Sequence, residues 1–287
     1  MNEHEENRCW VCLEGEEEDV HGSDLIRGCC ACRGTAGLVH LHCLVTVARH
    51  SNCWISCPTC KQEYVGQAQL ELARARFRLI SPNAPEADSE RLTAVADLAT
   101  ALCETETDLP RAQRLYEEVL AIKRASLGPT HPHTLVSINN LALLFTHKED
   151  YKMAKPLYVE ALSSQRYVLG VEHPHTLTSL NNLGNLMADM GETRMAQMLL
   201  HECVEARCRV LGNEHPETLT SINNLGTLFF DQGDFVTARC AQLGYTAAPF
   251  SVSISFYAHV CRLPTELLNH HHLSHCLLLT MSRCTDR

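Results

Sequence analysis

The sequence has no excess of basic charge, no leader-like N-terminus and no long apolar run. Its 24 Lys and Arg stand against 34 Asp and Glu, a formal charge of −10. That excludes broad binding to a phosphate backbone, which needs a basic surface. The first eight residues are acidic and no apolar run follows them, unlike a secretory leader. No run of apolar residues reaches the length that a membrane-crossing helix requires. The nearest stretch, Ala247 to Cys261, is shorter and carries serines and His259. Residues 241–287 contain no lysine and no helical repeat pattern. These absences lead to the expectation of a cytoplasmic or nuclear chain with no nucleic-acid partner and no transmembrane segment. At 45% hydrophobic residues the chain can still bury a core.

Cysteine, by contrast, is plentiful: 16 in all, with nine of them from Cys9 to Cys60. In a reducing compartment such a cluster points to metal before disulfides. Cys9-x2-Cys12 opens an ordered series. Cys30-x-Cys32, His40-x2-Cys43 and Cys57-x2-Cys60 follow. Zinc takes four thiolate or imidazole ligands in a tetrahedron, so eight ligands predict two zinc ions. Cys29 competes with Cys30 and Cys53 with Cys57; both are set aside as non-ligands. So short a segment cannot build a core unaided, so metal binding would supply much of its folding free energy.

The spacing and the strings Cys32-Arg33-Gly34-Thr35 and His40-x2-Cys43-Leu44 make residues 8–66 resemble a RING-CH (RING-variant) finger. The ligand order also fits a PHD finger. The single residue between Cys30 and Cys32 and the seven between Cys32 and His40 favour RING-CH. The resemblance implies a small cross-braced domain with few short strands and a helix. Cys9, Cys12, His40 and Cys43 would hold the first zinc; Cys30, Cys32, Cys57 and Cys60 would hold the second. It also implies an E3 ubiquitin ligase with no covalent ubiquitin intermediate. Such a finger binds a ubiquitin-charged conjugating enzyme and orients its thioester. The contact residues implied are Val11, Trp54, Pro58 and Lys61. Trp54 is either a docking anchor or a core residue beneath the second zinc. Lys61 is either the basic bridge to enzyme and ubiquitin or a solvated surface lysine.

A second pattern begins past residue 90. His131-Pro132, His173-Pro174 and His215-Pro216 recur at one constant interval, each opening a segment of the form HPxTLxSxNNLxxL. Leu127-Gly128, Leu169-Gly170 and Leu211-Gly212 keep the same period, each glycine placed to end a helix. Small residues recur at offsets of 12 and 7: Ala142, Ala154 and Ala161, then Gly184, Ala196 and Cys203. Thr100, Ala112 and Val119 form a degenerate earlier set, and Gly226 and Ala238 begin a later one. Antiparallel helices approach closely only where side chains are small. The pattern resembles tetratricopeptide repeats of the kinesin-light-chain type. That implies an all-α solenoid with a concave groove lined by the first helix of each pair. By the same resemblance Asn139, Asn181 and Asn223, with Asn185 one turn beyond Asn181, face the groove and offer a ladder of amides to a peptide. The alternative is that these amides bond to neighbouring helices and hold the stack. The three repeating histidines are expected to serve one recurrent turn and not a metal.

The organisation expected is a RING-CH finger at 1–66, a helix and linker at 67–89, about three and a half helix pairs at 90–240, and an irregular tail at 241–287 of doubtful native origin. The function expected is ligation: the finger recruits the charged enzyme and the groove recruits protein substrate. The alternative is a non-enzymatic zinc-finger and repeat adaptor.

Overall fold

The computed structural model describes residues 9, 11, 25–27, 38–80, 85 and 87–234. Cys12, Cys30 and Cys32, residues 81–84 and 86 of the expected helix and linker, the end of the fourth repeat and the tail lie outside them. The chain divides into two compact units, residues 1–148 and 149–287.

In the first unit, β1 (Leu25–Arg27) pairs antiparallel with β2 (Leu38–His40), with Ile26 in register with Val39. Helix α1 (Leu41–Ser51) starts directly from β2. Its last turn carries Arg49 and His50, where positive charge complements the helix dipole. Asn52 closes it in the left-handed conformation, φ 53°. A tight hairpin follows. Ser56 bridges Glu63, and the N–H of Cys57 donates to the carbonyl of Gln62 at 2.8 Å. The chain then enters α2 (Gly66–Ile80).

Helix α2 is apolar on two sides. Ala68 and Leu72, one turn apart, enter the finger core with Cys9, Val39, Cys43, Leu44, Ala48, Cys57 and Tyr64. Phe77 packs instead on Leu92, Val95 and Val119 of the helices that follow, α3 (Ser89–Glu104) and α4 (Leu109–Leu127). The Gln69 amide donates to Glu104 at 2.6 Å, and Arg76 pairs with Asp97. The helix expected after the finger thus runs from Gly66 to Ile80 and is packed on both sides. Asp88 caps α3 by accepting from the N–H groups of Glu90 and Arg91, at 3.0 and 2.9 Å. Asp108 caps α4 in the same way through the N–H of Arg111. Helix α5 (Pro132–His147) completes the unit, packed on α4.

The second unit contains α6 (Tyr151–Val168), α7 (Pro174–Asp189), α8 (Thr193–Leu211) and α9 (Pro216–Asp231). Consecutive helices pack as neighbours. The expected small-residue crossing is explicit at Gly184. A Cβ built there would lie 2.8 Å from Leu200 Cγ and Cδ2, so α7 and α8 approach only because the side chain is missing. Ala196 and Cys203 on α8 are fully buried.

The HP motif is turn chemistry. His131, His173 and His215 each cap the next helix, Nδ1 accepting from the N–H two residues on at 3.2 Å. Proline takes the first helical position, where no N–H is needed. The Thr134 and Thr176 hydroxyls donate back to the carbonyls of Gly128 and Gly170, at 2.9 and 2.8 Å. Those glycines and Gly212 hold φ of 92°, 95° and 87°, a region closed to ordinary side chains. Among the described residues, no helix is long and apolar enough to cross a membrane.

Candidate metal centre and repeat surface

The junction of β2 and α1 sets the first cluster. His40 ends the strand and Cys43 lies three residues on, in the first helical turn, so both fall on one side. Cys9 approaches from the N-terminal segment. The ligand atoms of Cys9, His40 and Cys43 lie within 4.8 Å of one another, and all three residues are buried. The backbone N–H groups of Val11 and His40 both point at Cys9 Sγ, each at 3.4 Å. Such donors favour the thiolate, the form that binds metal. His42 Nε2 lies 3.2 Å from Cys43 Sγ. Two sulfurs and one imidazole, all on buried residues, are a donor set that suits zinc. Cys12, expected as the fourth ligand, lies outside the described residues.

Of the second expected set, Cys57 and Cys60 sit on the hairpin, with Cys57 buried and Cys60 packed at the edge of the finger core. The hairpin turns sharply because the N–H of Lys61 donates to the Cys57 carbonyl at 2.9 Å with Lys61 itself left-handed, φ 62°. Their partners Cys30 and Cys32 are outside the described residues. Cys53, set aside as a ligand, donates to the Ser51 carbonyl at 3.4 Å. Of the expected contact residues, Val11 and Trp54 pack half-buried against the finger core, Pro58 is half-buried on the turn and Lys61 is exposed. Elsewhere Cys103 is buried in the repeats, and desolvation pushes its thiol up to about 11.

The asparagines divide. Asn139 and Asn181 are each only 7% exposed. Asn181 Oδ1 accepts from the Ser221 hydroxyl at 3.0 Å and from the Asn224 amide at 3.2 Å. Its acceptor is therefore committed to the next repeat, and at Asn181 the open-ladder expectation gives way to a stitch between helices. Asn185 and Asn223 keep partial exposure. Arg207 extends the stitch. It is 4% exposed, and it donates to Ser221 Oγ at 2.7 Å and to the Glu217 carbonyl at 2.8 Å. In the first unit Lys123, two periods before Arg207 in the same register, donates to Ser137 at 3.0 Å. Asp97, one period before Asn139, is the acidic member of the asparagine series. Burial raises its pKa against the opposing pull of Arg76 and Lys123. No motif singles out Asp97 in the sequence, although the repeat period marks its position.

These paired helices, recurring turns and small-residue crossings define an α-helical repeat fold. The chain matches the tetratricopeptide-repeat family over residues 91–166, 139–208 and 175–242, which together span more than half of it. It belongs to that family. Among solved structures it is similar to the nearly identical TPR-like repeats of a Podosopora anserina kinesin light chain. The identity there is 23% and the TM-score 0.50, covering 72% of this chain and 96% of that one. A single-substitution variant of the same protein gives 22% and 0.52, covering 78% and 95%. No curated protein matches the chain.

Proposed function

We propose that the chain is a protein-binding scaffold whose repeats hold a protein partner and whose N-terminal finger is built on zinc. The observation that carries the reading is the run of paired helices with partly exposed amides at Asn185 and Asn223 beside the committed Asn181. Amides that both donate and accept suit an extended backbone. Screening the purified chain against a displayed peptide library tests it. Selected peptides should lose affinity about 5- to 100-fold when Asn185 and Asn223 are both changed to Ala, at roughly one to two hydrogen bonds' worth. Peptides whose binding ignores the double change would refute the groove.

A second reading, ubiquitin ligation, draws support from the Cys9–His40–Cys43 cluster and the cysteine hairpin beside Val11, Trp54, Pro58 and Lys61. Cys9, Cys12, His40 and Cys43 would hold one zinc, and Cys30, Cys32, Cys57 and Cys60 the other. The metal would supply rigidity and no reaction step. The partner is then a ubiquitin-charged conjugating enzyme, and the compartment a reducing one such as the cytoplasm. The test is discharge of a panel of charged conjugating enzymes. Val11→Ala with Pro58→Ala should abolish discharge while zinc stays bound, and Lys61→Ala should slow it with little change in enzyme binding. If the wild-type chain discharges none of a broad panel, the scaffold reading stands alone.

A further inference from the structure

Helix α2 lies one period before α4. Phe77 precedes Val119 by that interval, and Ala161 and Cys203 continue the series. Leu70 stands likewise before Ala112, Ala154 and Ala196. The packing agrees with the register. Helix α2 covers α3 as α4 covers α5 in the first unit, and as α6 covers α7 and α8 covers α9 in the second. It is the second helix of a repeat whose first helix is absent from the sequence pattern, and the finger stands next to it in the chain.

Repeat arrays need a terminal cap, because the end face of the first pair is otherwise bare. Here the cap serves two cores. Ala68 and Leu72 are part of the core that contains Cys9, Cys43 and Cys57. Phe77, Arg76 and Gln69 hold α3, through the apolar contact with Leu92 and Val95, the pair with Asp97 and the bond to Glu104. We propose that α2 couples occupancy of the finger's metal cluster to the order of the first helix pair, so that loss of metal loosens α3 and α4 while the second unit is unaffected. This rests on the zinc reading. A finger that has lost its metal has little core of its own, and Ala68 and Leu72 then lose their partners. A helix of 15 residues held on one side only is marginal in water.

The experiment uses the full chain. Zinc content is measured first, then amide hydrogen exchange with and without a chelator, and again after zinc is restored. Expected is at least a tenfold faster exchange in 38–64 and in α3 and α4 on chelation, reversed by zinc, with α7 to α9 unchanged. In Phe77→Ala, zinc content and finger protection should be retained, while α3 exchanges fast in either state. Zinc that binds and leaves with the finger opening, but with α3 protection unaltered, overturns the coupling and spares the zinc reading. A chain that binds no zinc overturns both.

Discussion

Replacing Gly184 by Ala tests the close approach of α7 and α8. Inside a helix the change gains roughly 0.5–1 kcal/mol, because Ala loses less backbone freedom on folding. Against this, the new Cβ would sit 2.8 Å from two carbons of Leu200 and 3.4 Å from its backbone nitrogen. The Cγ of Leu200 is not a free chain end, and the side chain is fully buried, so the helices must part. Overpacking of this kind costs about 1–3 kcal/mol. The net expectation is a loss of roughly 0.5–2 kcal/mol, read as a lower urea midpoint and a Tm lower by several degrees. Leu200→Ala alone should cost about 2–5 kcal/mol through its cavity. With the leucine gone the added methyl has room, so the double variant should be more stable than the sum of the two changes by about 0.5–3 kcal/mol. Strict additivity, or a Gly184→Ala chain more stable than the wild type, would refute the crossing geometry.

His215→Ala should cost about 0.5–2 kcal/mol by leaving the N–H of Glu217 without its acceptor, whereas His215→Asn should restore most of it, both read by urea unfolding. The raised pKa of Asp97 means that its folded-state benefit is present at low pH and is lost as pH rises through the folded pKa. Asp97→Asn removes that titration, so stability of the variant relative to wild type should climb as pH rises from about 3 towards neutrality. A difference that is flat with pH would show that burial does not dominate at Asp97. Cys57→Ser should lower bound zinc from two ions to one by metal analysis, while Cys53→Ser should leave both; equal losses would reject the proposed second ligand set.

The repeats are legible in the sequence because their period repeats the chemistry as well as the polarity. A histidine before proline, a glycine ahead of it and a threonine after it can be read as one turn from the letters alone. Helix α2 is legible as a helix but not as a half-repeat. Leu70 and Phe77 fill the places where the later helices carry small residues, so the pattern that marks a crossing is missing. Asn181 misleads for a different reason. An amide on a first helix looks the same whether it faces a groove or a neighbour, and only the reach of Ser221 and Asn224 decides. For the finger, spacing names the residues of the first cluster, and the structure brings Cys9, His40 and Cys43 together from segments far apart in the chain. No local rule could supply the two N–H donors on Cys9, because one of them belongs to His40.

The recurring turns carry a consequence for how such an array changes in evolution. The cap from histidine spans two residues at all three junctions and the threonine-to-glycine bond spans six at the first two, so these junctions are closed within themselves. A recombination between equivalent points of two junctions would remove or insert one whole period and rejoin a complete junction from halves of the same chemistry. The serine of the Asn181 stitch follows the same arithmetic, since Ser137, Ser179 and Ser221 recur with the period. Gain or loss of whole units is thus a conservative step for the fold, while an insertion that falls inside a junction breaks the bonds that close it.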